Sequence, residues 1–314
     1  MHPFPAIWDM AVAESVGTSL ARPSHITSTW TTPGSDRPSV CEARGVVDPD
    51  IAAHYDLGFE SSRLFLDGRP RLEYVRTLEL LDRHLPLPPG RILDVGGGTG
   101  VYAVPLAERG FTVHVIEPVQ RHVEQVAETA RRQNLGDLTS ELGDARDLSS
   151  VSEGADAVLL LGPLYHLTEA SDRAKALAEA RRVVRPGGVV IAVGISRFAS
   201  LMDGLKRRNL DDAVFRRIIE RDLESGQHRN PEVQTRPEFF TTAYFHRPED
   251  LRDEAQTAGL VDVSLFAVEG PSWIVEDPAD LDNQLFAARA VESEPTLMGA
   301  TSHVMVIGYR ADPD

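Results

Sequence analysis

Apolar residues run along this chain in two rhythms. Between residues 70 and 85, Leu72, Val75, Leu78, Leu80, Leu81 and Leu85 recur at helical spacing among Arg71, Glu73, Arg76, Glu79 and Arg83. That pattern predicts an amphipathic helix, stopped by the Pro-rich PLPPG that follows. Short apolar runs then predict strands at 91–95, 112–117, 157–162 and 189–195, with a further strand near 138–142. Helical patterns at 100–109, about 119–134 and about 169–184 fall between them. Strand and helix alternating at this length predict a parallel sheet with helices on both faces. Residues 199–240 break the alternation; they read as mainly helical and polar, with no strand of their own. The stretch is longer than an ordinary connection and is placed where a cap would cover a site. A helix starting at Pro248, a strand in VDVSLFAVEG (261–270) and a final strand HVMVIGYR (303–310) complete the pattern.

The N-terminal part is different. Residues 1–48 are rich in Ser, Thr and Pro and show no sustained periodicity, which predicts a flexible arm, although Trp8 and Trp30 are large aromatics of the kind that bury. Residues 49–67 carry Ile51, Tyr55, Phe59, Leu64 and Leu66 as the apolar points of a short helical segment. The expected organisation is an arm at 1–48, a helical lid segment at 49–90, and a main domain at 91–314 with a cap insertion at about 199–245.

Composition narrows the partners. A chain of 314 residues is long enough for one large α/β domain with extensions. Its net charge of −16 argues against nucleic acid and anionic membranes, both of which need clustered Lys and Arg. The lone Cys41 excludes an internal disulfide, and no stretch of about 18 apolar residues suggests a membrane span. No charged n-region precedes an apolar run, so the cytoplasm is the expected location. A small molecule is the expected partner, and monomer and homodimer both stay open.

The chemistry concentrates in ILDVGGGTG, residues 92–100. Ile92, Leu93 and Val95 form a strand, and Gly96, Gly97, Gly98 and Gly100 let the backbone turn and approach a ligand. A dinucleotide loop places its third glycine one residue later, where Val101 stands here. Asp94 beside the loop would repel a diphosphate and attract a cation. S-adenosylmethionine, with its sulfonium and ammonium, suits that loop better.

The order DVGGGTG (94–100), Glu117 at a strand end, GDARDL (143–148), LLLGPLYHL (159–167) and RPGG (185–188) resembles the class I S-adenosylmethionine-dependent methyltransferases over roughly residues 50–310. The resemblance implies a Rossmann-like seven-stranded α/β sheet whose last strand is antiparallel. It also implies that Asp94, Gly96 and Gly98 cradle the donor. Glu117 would take the ribose hydroxyls, Asp144 and Ala145 the adenine, and Leu161 the adenosyl group through its backbone. Tyr55 and Arg76 would hold the methionine carboxylate.

In an open parallel sheet, ligands sit at the carboxyl ends of the strands, so Tyr165 and His166 should face the transferred methyl, with His166 as base or orienting group. His246 and His303 are expected on the same rim, His246 at the start of the helix after the cap and a candidate base in its own right. Neutral imidazoles from His166, His246 and His303 would then form a divalent metal site. Some relatives with a GPLYHL loop methylate the carbon beside the ketone of a 2-oxo acid, and such a metal would stabilise the enolate. The alternatives are O- or N-methylation of a small metabolite with a His base, a nicotinamide-dependent oxidoreductase, and a non-catalytic binding protein.

Overall fold

The structure, a computed structural model, describes residue 51 and residues 64–66, 69–275 and 277–312. Tyr55 and the arm at 1–48 lie outside the described residues. A two-residue antiparallel ladder, β1 (Phe65–Leu66) with β2 (Arg69–Pro70), precedes helix α1 (Leu72–His84). The alternating region supplies β3 (Arg91–Val95), α2 (Ala103–Glu108), β4 (Thr112–Glu117), α3 (Gln120–Gln133) and β5 (Leu138–Leu142). There follow β6 (Ala155–Leu160), α4 (Pro163–His166), α5 (Ala170–Val183) and β7 (Val184–Ser196).

The region expected to form a cap begins with α6 (Ala199–Arg207) and α7 (Ala213–Ser225), and none of its residues is among the described residues that line the cavity below. Asp212 caps α7 by accepting from the amides of Val214 and Phe215, and Gly226 ends it in the left-handed conformation. The chain then makes β8 (Gln227–His228), a strand within the stretch 199–240 expected to lack one, and β9 (Ala243–His246) just beyond it. Helix α8 (Pro248–Thr257), β10 (Leu260–Ala267), α9 (Leu281–Val291) and β11 (His303–Arg310) follow.

The main sheet has the order β10-β11-β7-β6-β3-β4-β5. Every neighbouring pair from β5 to β7 is parallel, and β11 runs antiparallel to both β7 and β10. This is the predicted seven-stranded sheet with its last strand reversed. The addition is β9, which pairs parallel with the carboxyl end of β7 and carries β8 beside it.

Strand alternation splits the core in two. Val190 and Ala192 of β7 and Val304 and Val306 of β11 join Leu177 of α5 and Leu251 of α8 on one face. Ile191, Val193, Met305 and Ile307 join Leu80 of α1, Leu106 of α2 and Val126 of α3 on the other. Each face is fully covered, as near-continuous apolar parallel strands require. No helix among the described residues is long and apolar enough to cross a membrane.

Candidate active site

The strand order reverses at β3: the chain leaves it for β4 and β5 on one side and returns to β6 on the other. A cavity of about 390 Å³ opens there, at the carboxyl ends of the strands. Asp94, Gly96, Gly98, Glu117, Asp144, Ala145, Leu161, Tyr165 and His166 all line it.

The glycine loop forms its floor. Gly96 takes a φ of +68° and donates its amide to the Ile116 carbonyl at 2.6 Å. A Cβ on Gly97 would stand 2.5 Å from Oδ2 of Asp94, so the carboxylate fills the space a side chain would need. Asp94 is buried, and among the described residues its Oδ2 has no hydrogen-bond partner. Burial first, and the charge of Glu117 second, push its carboxyl up to about 7. An orphaned acid beside a backbone cradle fits a ligand that is cationic and donates hydrogen bonds.

Glu117 ends β4 and is buried. Its Oε2 accepts from the Gly98 amide at 3.0 Å, and its Oε1 accepts from the Val119 amide at 3.1 Å. Asp144 accepts from the Arg146 amide at 2.8 Å and from the guanidinium through both oxygens, at 2.9 and 2.6 Å. Arg146 also reaches Asp172 at 2.9 Å, and these hydrogen bonds, Asp144 foremost, raise its pKa.

Tyr165 and His166 come from α4, which Pro163 starts at the end of β6. Their rings meet edge to face at 4.7 Å, and Phe240 lies 6.0 Å from the His166 ring. Phe240 has a φ of +66°, unusual for a residue with a side chain, and the Asn230 amide holds its carbonyl at 2.9 Å. Phe215 and Phe239, expected to roof the pocket, pack instead with Ile218 and Ile219 in a separate core.

Three expectations fail in this geometry. Arg76 is fully buried away from the cavity. It donates to the Val268 carbonyl at 3.1 Å, to Glu79 at 2.5 Å and to Glu292 at 2.6 Å, so it ties α1 to the far edge of the sheet. His246 does not start a helix; it ends β9, lies outside the cavity, and meets Glu254 of α8 at 3.3 Å. Burial lowers its pKa against the opposing pull of Glu254.

His303 lies across the sheet from His246. Its register partner on β7 is Ile195, whereas that of His246 is Ser196, so the two imidazoles project from opposite faces. The three-histidine metal set is therefore not brought together. Instead, His303 meets Glu269 at 2.6 Å and Glu73 at 4.0 Å. Among the described residues these three form the group whose donor atoms lie within 4.8 Å of one another, and it lies outside the cavity. Glu269 is buried, yet His303 and the Thr301 hydroxyl hold it below the usual carboxylate range.

The lining also includes residues that the sequence reading missed: Tyr102, His122, Arg146, Thr168, Glu169 and Asp172. One signal was present. Arg146 sits between two acids in GDARD, where a guanidinium can pair with a neighbouring carboxylate. His122 carries no such mark on a polar helix.

Residues 92–188 match the family described as "Methyltransferase domain". An uncharacterized methyltransferase of Mycobacterium tuberculosis is 32% identical over 211 residues, 67% of this chain and 78% of that protein. A ubiquinone biosynthesis O-methyltransferase of Methylocella silvestris is 32% identical over 172 residues, 48% of this chain and 65% of that protein. Among solved structures, the CcbJ methyltransferase from Streptomyces caelestis has the same fold with a TM-score of 0.50 at 17% identity, over 83% of this chain and 96% of that one.

Proposed function

Since the chain belongs to the class I S-adenosylmethionine-dependent methyltransferases, we propose that it methylates an oxygen or nitrogen of a small acceptor held against Tyr165 and His166, with His166 taking the proton the acceptor loses. The bound donor supplies an activated methyl carbon, so the protein's work is alignment, worth about 7–11 kcal/mol when good. Asp94, Gly96 and Gly98 hold the cationic end of the donor. Glu117 takes the ribose hydroxyls, and Asp144, Ala145 and Leu161 take the adenosyl group. Asp144 keeps acceptor capacity for the adenine amine while it binds Arg146, because a carboxylate offers about four lone-pair sites.

The observation that carries this reading is the position of His166. It lines the same cavity as the glycine loop, Asp94 and Tyr165, and its ring is in edge contact with that of Tyr165. Methylation of a 2-oxo acid carbon through a metal-held enolate finds less support. His246 and His303 project from opposite faces of the sheet and neither lines the cavity, and Arg146, the one guanidinium among the described lining residues, is engaged by Asp144 and Asp172. The likeness to an O-methyltransferase of ubiquinone biosynthesis points the same way.

Turnover of phenols, amines and 2-oxo acids by the parent chain and by His166→Ala tests the proposal. The expected outcome is turnover of a phenol or amine that falls on the order of 10²–10⁴-fold in the variant, with S-adenosylhomocysteine affinity unchanged. Turnover confined to a 2-oxo acid and abolished by a chelator would overturn it in favour of the metal-held enolate.

A further inference from the structure

Two backbone amides do not account for the whole setting of Glu117. A third donor, the His122 imidazole, approaches its Oε1, with Nδ1 at 3.2 Å. His122 stands in the first turn of α3, five residues beyond Glu117, and its own amide is anchored on the Val119 carbonyl at 2.9 Å. Its side chain is buried, yet the residue lines the same cavity as Glu117. An ionised carboxylate only accepts, so Nδ1 carries the proton that points at Glu117. The imidazole thus acts on the carboxylate from the cavity wall, whereas the amides act from the loop and the turn.

From this arrangement we infer that His122 is a positioning residue for the donor's ribose. It fixes the plane of the Glu117 carboxylate so that the carboxylate meets the vicinal diol, and it thereby sets the preference for a ribose over a sugar lacking those hydroxyls. The inference rests on the assignment of the ribose to Glu117. A histidine that merely packed under α3 would support every ligand equally. One that works through Glu117 supports only ligands carrying the diol.

Calorimetry on the full chain, with S-adenosylhomocysteine and its 2′,3′-dideoxy analogue as probes, separates these cases. His122→Ala is expected to weaken S-adenosylhomocysteine on the order of tenfold or more, because the diol then meets a carboxylate whose plane is no longer fixed, and the dideoxy analogue less than about twofold. His122→Asn, whose amide nitrogen falls where Nδ1 does, is expected to recover most of that loss. His122→Gln, whose amide reaches toward the Nε2 position, is not. If His122→Ala fails to fold, the Asn and Gln variants carry the comparison alone. Equal weakening of both probes, or of neither, overturns the inference. Glu117→Gln, measured alongside, keeps the two failures distinct. If it does not discriminate between the probes, the ribose assignment itself is wrong; if it discriminates where His122→Ala does not, only the role of His122 is.

Discussion

Asp94 and Glu117 stand at the carboxyl ends of neighbouring parallel strands, and the charge of Glu117 adds to burial in pushing the Asp94 carboxyl from 3.8 up to about 7. With no ligand bound, the folded chain therefore keeps a proton that the unfolded chain has released. Its contribution to stability is full below about 4 and is lost as pH rises through about 7, a change on the order of 4 kcal/mol. Asp94→Asn should remove that slope, so urea unfolding should show the variant gaining on the parent between pH 5 and 8. A constant difference between them would show that Asp94 titrates normally. S-adenosylmethionine, which favours the ionised acid, should also tighten more steeply than S-adenosylhomocysteine between pH 6 and 8.

Gly97 is required for the space it leaves, not for an unusual backbone. Its added Cβ would meet Oδ2 of Asp94 at 2.5 Å and Cγ1 of Val115 at 3.0 Å, both buried. Gly97→Ala should weaken S-adenosylhomocysteine by roughly tenfold or more, a loss of at least about 1.4 kcal/mol, because Asp94 must move. Gly136→Ala, which meets nothing within 4 Å, should leave binding unchanged. Titration calorimetry on both variants checks the contrast, and equal affinities would show that the loop adapts.

Arg76 should matter for stability rather than for the donor. Removing its side chain leaves the Val268 carbonyl without its buried donor, while Glu292 keeps Arg83 on both oxygens, so the loss should be about 1–3 kcal/mol. Arg76→Met should lower the unfolding free energy measured in urea by that amount while S-adenosylhomocysteine still binds. Lost binding with unchanged stability would reinstate a contact with the donor carboxylate.

The His303–Glu269 pair joins the start of β11 to the end of β10 inside the protein. His303→Ala should destabilise by about 3–5 kcal/mol, since Glu269 is left buried. Glu269 is held below its ordinary 4.5, so its stabilisation is present above that value and is lost as pH falls through the depressed one. Urea unfolding at pH 7 and at pH 3 should therefore show the penalty of His303→Ala shrinking on acidification. A penalty that does not change with pH would mean that the ring contributes by packing alone.

Much of this molecule is legible in the order of its residues. The strands 91–95, 112–117, 138–142 and 303–310 appear at their predicted bounds; all but LTSEL at 138–142 are mainly apolar runs bracketed by turns or polar helix. Gly96, Gly98, Asp94, Glu117 and Asp144, which line the cavity, follow from the same reading, since a tight turn after a buried strand constrains the chain locally. The strands β8 and β9 escaped it because two and four residues are too short to show a period. Arg76 misled because a guanidinium on a helix gives no sign of which partners it will find.

What only the tertiary structure decided is which face each histidine takes. Alternation along a strand assigns a residue to one side or the other, but relating that side to a neighbouring strand requires their register. A shift of one residue, from Ile195 to Ser196, separates His303 from His246 by the full thickness of the sheet. Local chain chemistry determined the sheet and its glycine cradle, while pairing between distant strands determined which side chains could meet.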